Sequence, residues 1–306
     1  MKIEKLTIAF AVTMMSFGAQ AATIDLFTTP QTKIDTSSSD SYLTGNVYGS
    51  QVGGALDTSI IGGYRELQVL SDSGNSGPST PPQLGTNMSA GGGVLAFSND
   101  TGQPGVIGRG AIIWDGSAQA CSDTSGVGCA PSTFGQADAA VGLGGLDLTS
   151  GGALTNFMFT TLSADHDWAF TLIMYSAADQ FTSIQLQSYA TNVPVPELIP
   201  FSAFENSTLC GHTDTDGSPI GAYLASQNVI AVTCGGGGVA DSTSVSALVA
   251  ELNTLPTDSS GTPQAIAVDL AITSVKTIPE PATLGLLGIG LLGLGFAGKA
   301  RRHKNI

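Results

Sequence analysis

Apolar and polar residues alternate with a period of two along several short segments, which is typical of β-strands with one buried face. In YRELQVL, residues 64–70, Leu67 and Val69 alternate with Glu66 and Gln68. Similar apolar runs closed by turn residues are GVLAFSND, GVIGRGAIIWDG and NFMFTTL. These segments predict strands joined by polar, glycine-rich loops.

The clearest strand pattern, DWAFTLIMYSA at residues 167–177, is apolar on both faces. One face would carry Trp168, Phe170, Leu172 and Met174, and the other Ala169, Thr171, Ile173 and Tyr175. A strand of this kind belongs in the centre of a sandwich. We expect FTSIQLQSYA to pair with it through the short connection at residues 178–180, and AIAVDLAITSV to form the last strand.

Helix signals are few. The segment TSVSALVAEL, residues 243–252, predicts one short amphipathic helix with an N-cap at Ser242 or Thr243. Its apolar positions are Val245, Leu248, Val249 and Leu252. Many short strands with Gly and Pro turns predict an all-β fold, an antiparallel β-sandwich that is jelly-roll-like in outline. The two chain ends are predicted as separate hydrophobic helices.

The first 21 residues have the pattern of a secretory signal peptide. Two lysines precede a mostly apolar run at residues 6–15, and Ala19 and Ala21 are small residues at the positions that a signal peptidase reads. Cleavage is expected before Ala22. The sequence therefore predicts an exported chain.

Charge excludes one class of partner. Residues 22–278 contain four Lys and Arg and 22 Asp and Glu, a formal net charge of −18. Nucleic acids would be repelled, because affinity for phosphate backbones comes from clustered cations. The acids are scattered along the chain, which is more typical of a solvated surface than of a site.

The chain has four cysteines, which are Cys121, Cys129, Cys210 and Cys234. An oxidising compartment favours disulfides, and three pairings are possible. The local pairing, Cys121 with Cys129 and Cys210 with Cys234, joins residues that are already close in the chain. In the chain-entropy model these two disulfides would add about 2.5 and about 3.5 kcal/mol to the free energy of unfolding. A zinc site is disfavoured because there is no Cys-x-x-Cys pair.

The C-terminus combines an uncharged apolar tract with a basic end. Residues 282–298 are 17 residues long, about 26 Å as a helix, which is the low end of the range that spans a bilayer. The bases that follow are Lys299, Arg301, Arg302 and Lys304. They are expected to stay on the cytoplasmic side, so the tract predicts a marginal transmembrane helix with the acidic body outside. The predicted divisions are a signal peptide at 1–21, an extracellular domain at 22–275 and a terminal segment at 276–306.

The segment PEPATLGLLGIGLLGLGFAGKARR resembles the PEP-CTERM sorting signal of exported bacterial proteins. Pro279, Glu280 and Pro281 match the family's triplet, and Arg301 and Arg302 match its basic end. The resemblance implies recognition by an exosortase, a membrane transpeptidase-like enzyme that cleaves near the triplet. It also implies a Gram-negative host and delivery to the cell surface or the exopolysaccharide matrix. The body segments LDTSIIGGYRELQV and SADHDWAFTLIMYS are similar to segments of other β-rich exported proteins with this signal.

These features predict a non-catalytic surface or matrix protein with a structural or adhesive role. Its expected partners are signal peptidase, an exosortase, transiently the inner membrane, and extracellular polysaccharide; no cofactor or metal is expected. Two alternatives stay open. A carbohydrate-binding module would use exposed aromatics, for which Trp114, Tyr175 and Tyr189 are candidates although burial is the commoner fate of each. A secreted polysaccharide hydrolase would use carboxylates such as Asp165 and Asp167.

Four short motifs are interpreted as structural. SDSGNSGPS at residues 71–79 is interpreted as a linker, because no histidine precedes it as a trypsin-like serine would require. DTDG at 214–217 lacks the closing Glu of a calcium loop and predicts a turn. DHDW at 165–168 predicts a polar strand entrance, and GGGG at 235–238 lacks the Lys of a phosphate loop.

Overall fold

A computed structural model describes most of the chain between the two predicted hydrophobic ends. The described residues are 21–35, 47–73, 85–99, 107–117, 134–135, 137, 139, 142–254 and 268–280. The predicted signal peptide up to residue 20, the predicted membrane helix at 282–298, the basic tail, Cys121 and Cys129 lie outside them. Within the described ranges, no helix has both the length and the apolar character needed to cross a membrane.

Fourteen strands account for most of the regular structure of the described residues. They are β1 (Ala22–Asp25), β2 (Gln31–Asp35), β3 (Val47–Gly53), β4 (Tyr64–Ser73), β5 (Thr86–Gly91), β6 (Val94–Asn99), β7 (Ile107–Trp114), β8 (Asn156–Ala164), β9 (Trp168–Tyr175), β10 (Phe181–Ser188), β11 (Val195–Pro200), β12 (Val229–Cys234), β13 (Ala247–Leu252) and β14 (Asp269–Ile278). The strands predicted from YRELQVL, NFMFTTL, DWAFTLIMYSA and FTSIQLQSYA are confirmed as β4, β8, β9 and β10.

The strands form two seven-stranded sheets. Sheet I has the order β11-β8-β14-β6-β5-β2, and β1 also pairs with β14. Sheet II has the order β12-β10-β9-β13-β7-β4-β3. Every pair of these strands is antiparallel. The antiparallel all-β architecture is therefore confirmed, and its jelly-roll-like outline stays a prediction.

The two sheets share one hydrophobic core. Leu67 and Val69 of sheet II are fully buried, as the alternation in β4 predicts. Phe159 of sheet I meets Phe170 of sheet II edge to face, with 4.8 Å between ring centroids. Contacts of this kind place the inner faces of both sheets against each other and make a β-sandwich.

The helix predicted at residues 243–252 is wrong. Residues 247–252 form β13, which lies between β7 and β9 in the middle of sheet II. Ala247, Leu248 and Val249 are consecutive and all buried, which a strand achieves only when both of its faces are covered. A short, continuous apolar run of this kind cannot be assigned to helix or strand from periodicity alone.

The described helices instead lie between β11 and β12. They are α1 (Phe201–Glu205) and α2 (Pro219–Ser226), with 3₁₀ turns at Ser207–Leu209 and, earlier in the chain, at Ile61–Gly63. Ser218 caps α2 by accepting a hydrogen bond from the Gly221 amide at 2.9 Å. The predicted disulfide between Cys210 and Cys234 is present and ties this helical insertion to the end of β12.

A charged pair lies in the interior between the sheets. Arg65 of β4 and Asp25 of β1 are both fully buried, and Arg65 Nη1 is 2.9 Å from Asp25 Oδ1. The other guanidinium nitrogens donate to the Gln31 side chain and to the Thr29 carbonyl. Asp25 also accepts hydrogen bonds from the Trp114 indole and the Phe27 amide, both at 2.8 Å. Burial raises the pKa of Asp25, and the Arg65 charge and the Trp114 indole oppose that rise.

Replacing Asp25 by Asn is expected to lower the free energy of unfolding by about 3–5 kcal/mol, because it leaves the Arg65 charge buried without a counter-charge. The double variant Asp25→Asn/Arg65→Met removes both charges and should recover part of the loss. Denaturant unfolding of the mature protein measures both. A loss below about 1 kcal/mol in the single variant would show that the pair does not constrain the fold.

Candidate functional site

The sequence predicts processing close to the end of β14, and the structure gives that end a defined geometry. Ile278 is the last residue of β14, and its carbonyl accepts a hydrogen bond from the Thr155 amide at 2.9 Å. Pro279 follows and has no N–H to continue the ladder, which accounts for the end of the strand. Glu280, the centre of the predicted triplet, is exposed. Pro281 lies outside the described residues, as do Arg301 and Arg302.

The expected signal-peptidase site lies beside the same strand end. Ala21 is exposed, and Ala22 begins β1 directly opposite Thr277 of β14. Ala19 lies outside the described residues. The first residue of the predicted mature chain and the first residues of the sorting segment are therefore neighbours across one strand pair.

Sheet II carries a polar row on the face opposite the core. The strand registers align Gln68, Glu251, Thr171 and Gln185 across β4, β7, β13, β9 and β10, with Ala111 as the β7 member. Hydrogen bonds at 2.9 Å run from Gln68 Nε2 to Glu66 Oε1 and from the Gly135 amide to Gln68 Oε1. The sequence alone does not reveal this row, because residues that are distant in the chain become strand neighbours only through the registers.

The two glutamates of this face share an unusual environment. Glu66 is only 4% exposed, and burial raises its pKa against the opposing hydrogen bond from Gln68. Burial also raises the pKa of Glu251, and the Arg109 charge opposes that rise. The face thus combines amide groups with carboxyl groups that hold protons more tightly than exposed acids do.

Two aromatic rings lie at one end of this face. Tyr175 and Phe181 are direct partners in the β9–β10 hairpin, and their ring centroids are 5.3 Å apart. Both side chains are partly exposed. Tyr175 lies on the same side of β9 as Thr171 and Ile173. The two rings are therefore on the face that carries the polar row and not on the face that packs in the core.

The other two aromatic candidates for carbohydrate binding differ from Tyr175. Trp114 is fully buried and its indole N–H donates a hydrogen bond to Asp25, so its ring is not available to stack on a sugar at the surface. Tyr189 is 54% exposed, and its hydroxyl donates to Asn228 Oδ1 at 3.2 Å. Tyr175 is therefore the candidate whose surroundings fit a binding face best.

The Asp165–Asp167 motif holds the entrance of β9. Asp165 Oδ1 accepts a hydrogen bond from the Asp269 amide at 2.7 Å and lies 3.3 Å from His166 Nδ1. Asp167 Oδ1 accepts from the Ala190 amide at 2.8 Å. Both carboxylates accept hydrogen bonds from backbone amides of neighbouring segments, which agrees with the prediction of a polar strand entrance.

The DTDG segment is a turn next to the Cys210–Cys234 disulfide. Asp216 accepts a hydrogen bond from the Ser218 amide at 2.7 Å and lies 2.5 Å from His212 Nδ1. The hydrogen bonds from Ser218 and His212 hold the pKa of Asp216 below its ordinary value. In the described ranges, no group of three or more His, Cys, Asp or Glu side chains is arranged to hold a metal ion.

The fold defines a class: an all-β protein in which β14, the last strand of the described residues, runs directly into the predicted sorting segment. Residues 277–302 match the family model of the PEP-CTERM protein-sorting motif, and the chain is a PEP-CTERM sorting-domain protein. The motif implies an exported protein with an exosortase as its processing partner. The sequence has no match among curated proteins.

Several solved structures resemble the body at a low level. PfGH50B has 10% identity and a TM-score of 0.34, over 78% of this chain and 24% of that one. An exo-β-agarase has 8% identity and a TM-score of 0.31, over 70% and 23%. A family 11 carbohydrate-binding module from Clostridium thermocellum, in complex with a β-1,3-1,4-mixed-linked tetrasaccharide, has 9% identity and a TM-score of 0.27, over 78% and 98%. The chain spans about a quarter of the first two structures, and similarity at this level carries no argument about function.

Replacing Glu66 by Gln is expected to raise the free energy of unfolding near neutral pH and to leave it unchanged in acid. Burial raises the pKa of Glu66 above its ordinary 4.5, so its stabilising contribution is complete below pH 4.5 and is lost as pH rises through the higher folded value. Glutamine is neutral throughout and keeps an oxygen for Gln68. Unfolding curves at about pH 4 and about pH 7 test this.

Asp179→Asn provides the control, because it makes the same acid-to-amide change at an exposed side chain. Equal effects of Glu66→Gln at both pH values would contradict the assignment of Glu66 as an acid that burial forces toward its neutral form.

Proposed function

We propose that the protein is a non-catalytic component of the cell surface or exopolysaccharide matrix of a Gram-negative bacterium. In this proposal, signal peptidase removes residues 1–21, the apolar tract at 282–298 holds the precursor in the inner membrane, and an exosortase cleaves near Pro279–Pro281. The observation that carries it is the sorting motif, whose Pro-Glu-Pro triplet directly follows the core strand β14, with Glu280 exposed.

The charge distribution supports the orientation. The body from residue 22 to 278 has a formal net charge of −18, and four bases follow the apolar tract. Bases next to a membrane segment resist translocation, so the tail stays inside while the acidic body is outside. The disulfide between Cys210 and Cys234 supports an oxidising compartment.

Replacing Pro279, Glu280 and Pro281 together by alanine is expected to block conversion of the precursor and to leave the protein in the membrane fraction. The reason is that the substitution removes the triplet that the sorting motif places directly after β14, where the chain is exposed at Glu280 and an enzyme can reach it. Intact mass of the protein from membranes and from the cell surface measures the outcome.

Asp179→Asn, an exposed acid in the β9–β10 turn, is the matched control and should be processed normally. Normal mass and normal surface accumulation of the triple-alanine variant would refute the proposed processing.

Carbohydrate binding is a second candidate role, and the outer face of sheet II favours it. Tyr175 and Phe181 provide two adjacent, partly exposed rings, and the partly exposed Gln185 provides an amide side chain on the same face. Sugar rings stack on aromatic faces and orient through such polar groups, as ligand sites generally combine an apolar surface with a few placed polar groups.

Replacing Tyr175 and Phe181 by alanine is expected to weaken binding to the native exopolysaccharide by about tenfold, since it removes the stacking surface. Sedimentation of the purified mature protein with that polysaccharide measures the change. Tyr189→Ala, which removes an exposed tyrosine elsewhere, should leave binding intact. Binding that is unchanged in the double variant, or equally weakened by Tyr189→Ala, would exclude this face.

A further inference from the structure

The sorting motif and the folded body overlap by two residues. The matched motif begins at residue 277, and β14 ends at Ile278. Thr277 is fully buried, whereas Glu280, three residues further on, is exposed. The first part of the motif is therefore inside a core strand and the triplet is outside it.

Neighbouring strands hold this overlap from both sides. On one side, Thr277 and Ile278 pair with Phe157 and Asn156 of β8, and the Ile278 carbonyl accepts the Thr155 amide. On the other side, Ala22 of β1 pairs with Thr277. We call residues 22–25 of β1 and residues 155–157 next to β14 the sorting clamp.

The chain between the clamp and the apolar tract is short and poor in donors. Only Pro279, Glu280 and Pro281 separate Ile278 from Ala282, a reach of about 14 Å when fully extended. Both prolines lack an N–H, so the triplet offers one backbone donor. An enzyme that binds an extended peptide takes it up through main-chain hydrogen bonds, and upstream of the triplet those groups belong to Thr277 and Ile278.

The same backbone groups cannot serve the clamp and an enzyme at once, because each residue has one N–H donor and one carbonyl. We propose that the sorting clamp controls exosortase cleavage: Thr277 and Ile278 leave β1 and β8 before the motif is cut. The inference rests on the proposed function. It makes β1, which lies more than 250 residues before the motif, a positioning element for C-terminal processing.

The first test lengthens the exposed connection. A Gly-Ser-Gly-Ser spacer between Ile278 and Pro279 supplies backbone groups that the clamp does not hold. Pulse-chase labelling in cells that contain the exosortase is expected to show precursor conversion accelerated by about tenfold, the factor that corresponds to a net backbone hydrogen bond or two. The same spacer between Gly144 and Gly145, in an exposed turn, is the control and should leave the rate unchanged.

The second test closes the clamp. Thr23 and Lys276 are directly opposite each other in the β1–β14 pair, outside both cleavage motifs. Directly opposite residues of antiparallel strands have the spacing that a disulfide needs. The double variant Thr23→Cys/Lys276→Cys is expected to slow conversion by a similar factor when oxidised and to regain the wild-type rate with a reductant. The variant Thr23→Cys alone and the wild type with reductant are the controls.

The outcomes separate the two proposals. The proposed function is supported if the wild-type precursor is converted in cells with the exosortase and not in cells without it. If the wild-type precursor shows no exosortase-dependent conversion, both the proposed function and the clamp are overturned. Where wild-type conversion occurs, an unchanged rate in both the spacer and the oxidised double-cysteine variant overturns the clamp alone. For a rate change to count as support, the thermal unfolding midpoint of the spacer variant must stay at the wild-type value. The midpoint of the oxidised double-cysteine variant must not fall below the wild-type value, since a disulfide raises it.

Discussion

The buried ion pair between Arg65 and Asp25 is the constraint on which the arrangement of the sandwich depends. A guanidinium in a protein interior stays charged, so it demands a counter-charge and partners for its donors. Asp25, Gln31 and the Thr29 carbonyl supply these, and they come from β1, β2 and the loop that joins them. Arg65 belongs to sheet II. Pairing its charge and hydrogen-bond donors therefore fixes the position of the N-terminal strands of sheet I against sheet II.

That placement links the two ends of the chain. Asp25 is the last residue of β1, and β1 lies along the final residues of β14. Because the ion pair fixes Asp25, it also fixes the strand that covers Thr277. The interior of the protein is in this way connected to the point at which the sorting segment leaves the fold, through a strand of only four residues.

The sequence predicted the strands with clear alternation and the processing motifs, because each depends on residues that are close together in the chain. The β4 and β9 patterns and the signal in Pro279–Pro281 are local in this sense. β13 was assigned as a helix since a continuous apolar run satisfies both periods. The α2 cap, Ser218 followed by Pro219, was a readable local signal that the sequence analysis overlooked. The ion pair and the Gln68–Glu251 row had no such signal, because their members meet only through long-range register.

The sharp end of β14 explains how one chain can satisfy two opposite demands. A core strand needs apolar residues and complete hydrogen bonding, whereas a processing site needs accessible backbone. Pro279 marks the boundary between the core strand and the predicted processing site. It has no N–H, so the hydrogen-bond ladder ends there without a flexible linker. The Pro-Glu-Pro triplet of the motif consequently starts where β14 stops. If the proposed clamp controls cleavage, the stability of β14 determines how much of the motif an enzyme can reach, so the packing of the core and the sorting of the protein depend on the same strand.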